Sequence, residues 1–231
     1  MNARHLTTVV LFGLVLGLAA QDTKPAPKPK AKQPDPAFAT VTDDAKLPRI
    51  LLIGDSIAIG YTAATRKLLA GKVNLHRISE NGGPTTNGTG KLTKWLGTAK
   101  WDVIHFNWGL HDIKFMPDGK RQVGPEDYEK HLRALVKQMQ ATGATLIWCS
   151  TTPVPEGKVS PTRKPEDVLA YNAIAKKVME ENKVVTNDLY AHAQAGPLVK
   201  IQTPVNVHFT SSGSEYLAKQ VAASIESALK K

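Results

Sequence analysis

From Leu47 onward, short uninterrupted apolar runs alternate with longer segments whose apolar positions recur at helical spacing. Runs such as ILLI at 50–53 and LIWC at 146–149 are too short for buried helices and lack polar alternation, as strands covered on both faces do. The pattern predicts strands at Arg49–Ile53, Val73–Ile78, Asp102–Phe106 and Thr145–Cys149, and a short one centred on Val184 and Val185. Between and after them it predicts helices over Ile59–Leu69, Thr89–Leu96, Pro125–Gln140, Pro165–Glu180 and Ser212–Leu229. Leu132, Leu135, Val136 and Met139 carry the helical signal in the third of these, because their spacing puts them on one face. Strands separated by helices imply parallel pairing, so the expected fold is a three-layer α/β/α sandwich around a parallel sheet of about five strands.

The region before Leu47 follows different rules. Residues 1–20, MNARHLTTVVLFGLVLGLAA, place Arg4 ahead of an apolar stretch that ends in small residues, the pattern of a secretory signal peptide. Leu6–Ala20 is short for a bilayer span, which needs about 20 residues, so cleavage after Ala19 or Ala20 is expected and no stable membrane span remains. The implied location is secreted or periplasmic. No cysteine follows the apolar core to carry a lipid anchor. Residues 21–46 interleave five prolines with lysines, which disfavours helix and ladder pairing and suggests a tether or simple lead-in. The folded domain is then expected over 47–231.

Composition narrows the function classes. The single cysteine, Cys149, excludes an intramolecular disulfide framework and any cluster held by thiolates alone. The formal charge of +10 raises the question of nucleic acid. The lysines are dispersed, however, and no dense arginine run is interleaved with aromatics, so a solvated basic surface and no nucleic-acid partner are expected. The seven histidines form no HExxH, and GDSIAIG after the first strand lacks the close glycine spacing of a dinucleotide loop. Neither a metal nor a cofactor is expected, and a monomer is the expected state.

Candidate chemistry gathers at strand ends. Gly54, Asp55 and Ser56 lie between the first buried strand and a helix, where a parallel sheet opens its site crevice and a helix start offers free N–H groups. Ser56 can present its hydroxyl to a carbonyl while its own amide faces the oxygen that becomes negative. Asp55 either caps the helix or contacts substrate. A serine hydroxyl needs a base, and His208, beside Phe209 and the candidate caps Thr210 and Ser211 of the last helix, is the best placed.

GDS after strand one, ENGGPTTNG after strand two, FNWGLHD after strand three and VHFTSSGSEYLA before the last helix resemble the four signature blocks of the SGNH hydrolases, or GDSL esterases and lipases. The resemblance spans Leu47 to about Lys230 and implies a serine esterase of flavodoxin-like fold. It implies nucleophile Ser56, general base His208, and oxyanion donors from the Ser56 amide and the Gly83 amide, with neighbouring Gly82 as a second choice.

Two positions depart from the family pattern. His111 stands where the third block usually has asparagine, and an imidazole N–H can donate to an oxyanion in its place, with Asn107 as a rival donor. Val205 stands where the last block usually has aspartate, three residues before His208. The imidazole must then be oriented by Asn206, by Asp188 from the fifth strand, or by nothing, as a dyad. A weakened or inactive carbohydrate- or surface-binding protein is the alternative reading. Trp108 is either core or a flat wall for substrate, and the proline-containing segment Thr151–Lys164 is expected to form a rim. Thr85, Thr86 and Asn87 suggest a polar surround suited to a short acyl group on a hydroxylated compound, a small molecule or a glycan.

Overall fold

The computed structural model describes residues 35–230. The signal-peptide reading of 1–20 and the first part of the tether lie outside the described residues. Five strands, β1 (Arg49–Ile53), β2 (Asn74–Arg77), β3 (Val103–Phe106), β4 (Thr145–Cys149) and β5 (Val185–Asn187), form one parallel sheet in the order β2-β1-β3-β4-β5. The helices are α1 (Ser56–Leu68), α2 (Thr85–Leu96), α3 (Pro125–Gln140), α4 (Pro165–Glu181), α5 (Leu189–Ala195), α6 (Leu198–Ile201) and α7 (Ser211–Leu229). No helix among the described residues is long and apolar enough to cross a membrane.

The central strands β1, β3 and β4 carry mostly apolar residues because both faces of the sheet are covered there. Leu51, Ile53, Ile104, Phe106 and Trp148 pack with residues of α2, α3 and α4, while Ile50, Leu52, Val103 and Ile147 pack with α1 and α7 on the other side. Each such Leu or Ile contributes roughly 1.5–3 kcal/mol on burial, which holds both helical layers to the sheet. The order of the strands positions the site. β1 pairs with β2 on one side and with β3 on the other, with Ile53 opposite Phe106, so the chain leaves β1 and β3 at adjacent carboxyl ends. This reversal of strand order is where open α/β sheets leave a crevice.

The structure corrects several boundaries. α1 begins at Ser56, where Asp55 caps it by accepting the Ile57 N–H at 2.9 Å. α2 begins at Thr85, although Gly88 and Gly90 weaken its helical propensity. Packing overrides propensity there, because Gly88 lies so close to Trp108 that an added Cβ would come within 2.8 Å of the ring. α5 and α6 were not expected from periodicity; they are too short to show it. Residues 35–46 are not a free tether. Ala37 is buried, Arg66 donates to Pro36 O at 2.8 Å, and Asp43 contacts both Arg49 Nε at 2.7 Å and His76 Nε2 at 2.6 Å. The packed chain therefore starts before the expected boundary at Leu47.

Candidate active site

Helix α1 fixes the serine. The tight approach of Gly82 to Gly54, with the Gly82 N–H donated to Gly54 O at 3.0 Å, brings the ENGG segment against the GDS turn. At the other end of the chain, Gln202 and Phe209 form an isolated antiparallel bridge that closes the loop carrying His208. Thr210 caps α7 by accepting the Gly213 N–H at 3.1 Å, which anchors that loop to the helix mouth.

Ser56 Oγ lies 2.9 Å from His208 Nε2, and Asn206 Oδ1 lies 2.7 Å from His208 Nδ1. The tautomer follows from a third bond. Asn206 Oδ1 also accepts the His208 backbone N–H at 3.0 Å, so the amide oxygen, and not its NH₂, faces the ring. Nδ1 therefore carries the proton, and the Nε2 lone pair is free to accept from the serine hydroxyl. Val205 enables this turn at φ 50°, a left-handed conformation that costs an L-residue about 1–2 kcal/mol.

Asp188 is elsewhere. It caps α5, accepting from Ser150 Oγ at 2.9 Å and from the Ala191 N–H at 3.0 Å, and among the described residues it shares no hydrogen bond with His208. Of the two orienting candidates, Asn206 is the one within hydrogen-bond distance of His208 Nδ1.

The expected oxyanion donors divide into free and engaged groups. The Ser56 amide is the first N–H of α1, at the positive end of the helix, and has no hydrogen-bond partner among the described residues. The Gly83 amide is engaged, donating to Asn81 Oδ1 at 2.9 Å in an Asx turn with Gly83 at φ 60°. The Gly82 amide is engaged as well, as described above. Asn107 is also tied down, its Nδ2 donating to Cys149 O at 2.7 Å and to Thr151 Oγ1 at 3.2 Å. His111 is half-buried, and its ring makes no hydrogen bond within the described residues. Burial pulls the His111 imidazole below its ordinary value; Asp55 opposes this, while Arg163, Lys114 and His208 add to it. A neutral ring near the His208 imidazole can offer one N–H.

Two expected substrate contacts are corrected. Trp108 is 1% exposed and packs between Trp95 and Phe106, so it is core and offers no wall to a ligand. Asp55 is 3% exposed and spent on capping. Thr85 is also buried, donating from both N and Oγ1 to Asp112 Oδ1 at 2.8 and 2.5 Å, and so does not line the surface. His105 is buried in β3 with Nε2 at 3.1 Å from Asn187 Nδ2, and burial lowers its imidazole to about 4. Among the described residues, no group of three or more His, Cys, Asp or Glu side chains converges for a metal ion.

Sequence reasoning passed over Asn81, whose place before two glycines was a legible Asx-turn signal, and Arg163, which no local pattern marked. Arg163 is 7% exposed, and its Nε donates to Leu110 O at 2.6 Å, next to His111.

The architecture matches solved esterases. A lipase/acylhydrolase from Enterococcus faecalis superposes with a TM-score of 0.68 at 20% identity, covering 78% of this chain and 96% of its own. The acetyl xylan esterase AlAXEase gives 0.66 at 17% identity, covering 77% and 99%. Axe2, an acetylxylan esterase from Geobacillus stearothermophilus, gives 0.61 at 21% identity, covering 77% and 94%. At these identities the likeness shows a shared SGNH-hydrolase fold. No curated protein matches the sequence. Residues 52–216, which reach from the end of β1 into α7 and include Ser56 and His208, match the GDSL-like lipase/acylhydrolase family, and the chain belongs to that family of ester hydrolases.

Proposed function

We propose that the protein is an exported serine esterase that removes short acyl groups, acetyl above all, from carbohydrate or another hydroxylated compound. The Ser56–His208–Asn206 relay carries this reading, with Oγ to Nε2 at 2.9 Å and Nδ1 to the amide oxygen at 2.7 Å. Ser56 Oγ attacks the ester carbonyl as its proton passes to His208 Nε2, and the resulting oxyanion is met by the Ser56 N–H and an N–H of His111. Collapse breaks the ester bond, and the alcohol leaves with the proton from Nε2. Water then gives its proton to Nε2 and attacks the acyl-serine, and the second collapse returns Ser56 and releases the acid.

Asn206 holds the tautomer but brings no negative charge to the developing imidazolium, so turnover is expected to be slower than with a carboxylate. A short acyl group is favoured because the second block offers short polar side chains, Thr86 and Asn87, and no long apolar run to bury a lipid chain. Two of the similar structures are acetylxylan esterases, which agrees with an acetyl ester on a hydroxylated polymer. Export is supported by Arg4 and the apolar stretch that follows it.

The mature protein should release acid from a short-chain ester, and Ser56→Ala should abolish release while the circular dichroism spectrum stays unchanged. Turnover that survives Ser56→Ala refutes the mechanism. The missing carboxylate favours one other reading, a binding protein that has kept the cleft. Absence of both turnover and labelling by a serine-reactive probe, together with saturable glycan binding, would establish it.

A further inference from the structure

Arg163 is a buried cation in the loop after β4, and it has no place in the relay. Its Nε donates to Leu110 O at 2.6 Å and its Nη1 to Pro161 O at 3.1 Å. The neighbouring Thr162 O accepts the Phe115 N–H at 2.9 Å, so the loop is stitched to the turn that follows β3 on both sides of His111. That turn needs an outside anchor. It leaves β3 through Gly109 at φ 150°, pressed against the Thr151 side chain, and the buried Leu110 carbonyl would otherwise lack a donor.

We propose that Arg163 is a positioning residue for the oxyanion side of the site, fixing the Leu110–His111 peptide and so holding the His111 imidazole in place near the His208 imidazole. The proposal rests on the esterase reading above and assigns a task to a side chain outside the signature blocks. Burying a guanidinium is costly, and a neutral donor could satisfy one carbonyl. The charge has a further effect at this place. The groups acting on His111 are Asp55 from the β1–α1 turn, Lys114 from its own turn, His208 from the loop before α7, and Arg163. When His208 takes the serine proton, a second imidazolium nearby would oppose it. Arg163 disfavours that second charge, and Asp55 offsets the field that Arg163 itself adds.

The test combines a mutant cycle with a measurement that needs no turnover. kcat and KM for p-nitrophenyl acetate are measured for Arg163→Met and Arg163→Lys, each in the wild-type and His111→Ala backgrounds. Residues acting through one another are non-additive, so Arg163→Met should lower kcat about tenfold in wild type with KM little changed, and less than about twofold in His111→Ala. Arg163→Lys, which keeps the charge, should recover part of the loss. Separately, NMR titration of the His111 ring should show its midpoint rising in Arg163→Met and staying nearer wild type in Arg163→Lys. Equal losses in both backgrounds with an unmoved midpoint would overturn the proposal and leave Arg163 as a loop anchor. If Ser56→Ala retains turnover, the esterase reading fails instead, and the titration still decides whether Arg163 acts on His111.

Discussion

Replacing Asp112 by asparagine should remove a pH dependence of stability that originates beside the site. The carboxyl group is 0% exposed; its Oδ1 accepts both Thr85 donors, and its Oδ2 has no partner among the described residues. Burial pushes it up to about 7 from 3.8, against the opposing pull of the Thr85 hydroxyl and amide. The folded value lies above the unfolded one, so the folded state binds the proton more tightly. Its stabilising contribution is therefore complete below about pH 4 and is lost as pH rises through about 7. A rise of roughly three units at about 1.4 kcal/mol each makes the full loss on the order of 4 kcal/mol, of which about 2–3 kcal/mol falls between pH 5 and 8. Asparagine still accepts from Thr85 through Oδ1 and has no proton to lose. Unfolding free energies from urea titrations at several pH values between 5 and 8 should fall more steeply for wild type than for Asp112→Asn. All other groups are common to both proteins, so the difference isolates this carboxyl. Parallel curves would refute the reasoning, since they would mean that Asp112 ionises in the folded protein at an ordinary carboxylate value.

Other substitutions test the relay directly. Asn206→Ala should lower kcat at least about tenfold, and Asn206→Asp should raise kcat above wild type by supplying charge to the imidazolium; steady-state kinetics that leave both unchanged would remove Asn206 from the mechanism. Asp188→Ala is the control, expected to cost about 1 kcal/mol of stability as a lost cap while kcat stays within about twofold. His111→Ala should lower kcat by about 10² to 10³ with little change in KM, and His111→Asn should recover part of that loss; a KM effect alone would count against oxyanion donation. Intact-mass measurement of the protein from its native host should show loss of the first 19 or 20 residues, and a full-length cytoplasmic species would reject export.

The sequence alone determined the layers and the position of the serine. Residues 50–53 and 146–149 are apolar at every position, and only a strand covered on both faces buries such a run in so few residues. A serine after the first of these runs must lie at a strand end, and Asn206 and His208 are close enough in the chain to form their contact through one local turn. α1 and α2 started earlier than the pattern showed because caps and long-range packing, not apolar period, set their first residues. Tertiary structure decided which polar groups remain available. Gly83 donates to Asn81, Asn107 to Cys149, and Asp188 caps α5, so three candidates that spacing allowed are already occupied. Trp108 is core because Gly88 and Trp95 close over it. Arg163 reaches Leu110 across 53 residues, and Thr85 reaches Asp112 across 27. No local pattern encodes such pairs, because burial and hydrogen-bond partnership depend on which strand ends the sheet order makes neighbours, and that order appears only when the whole chain has packed.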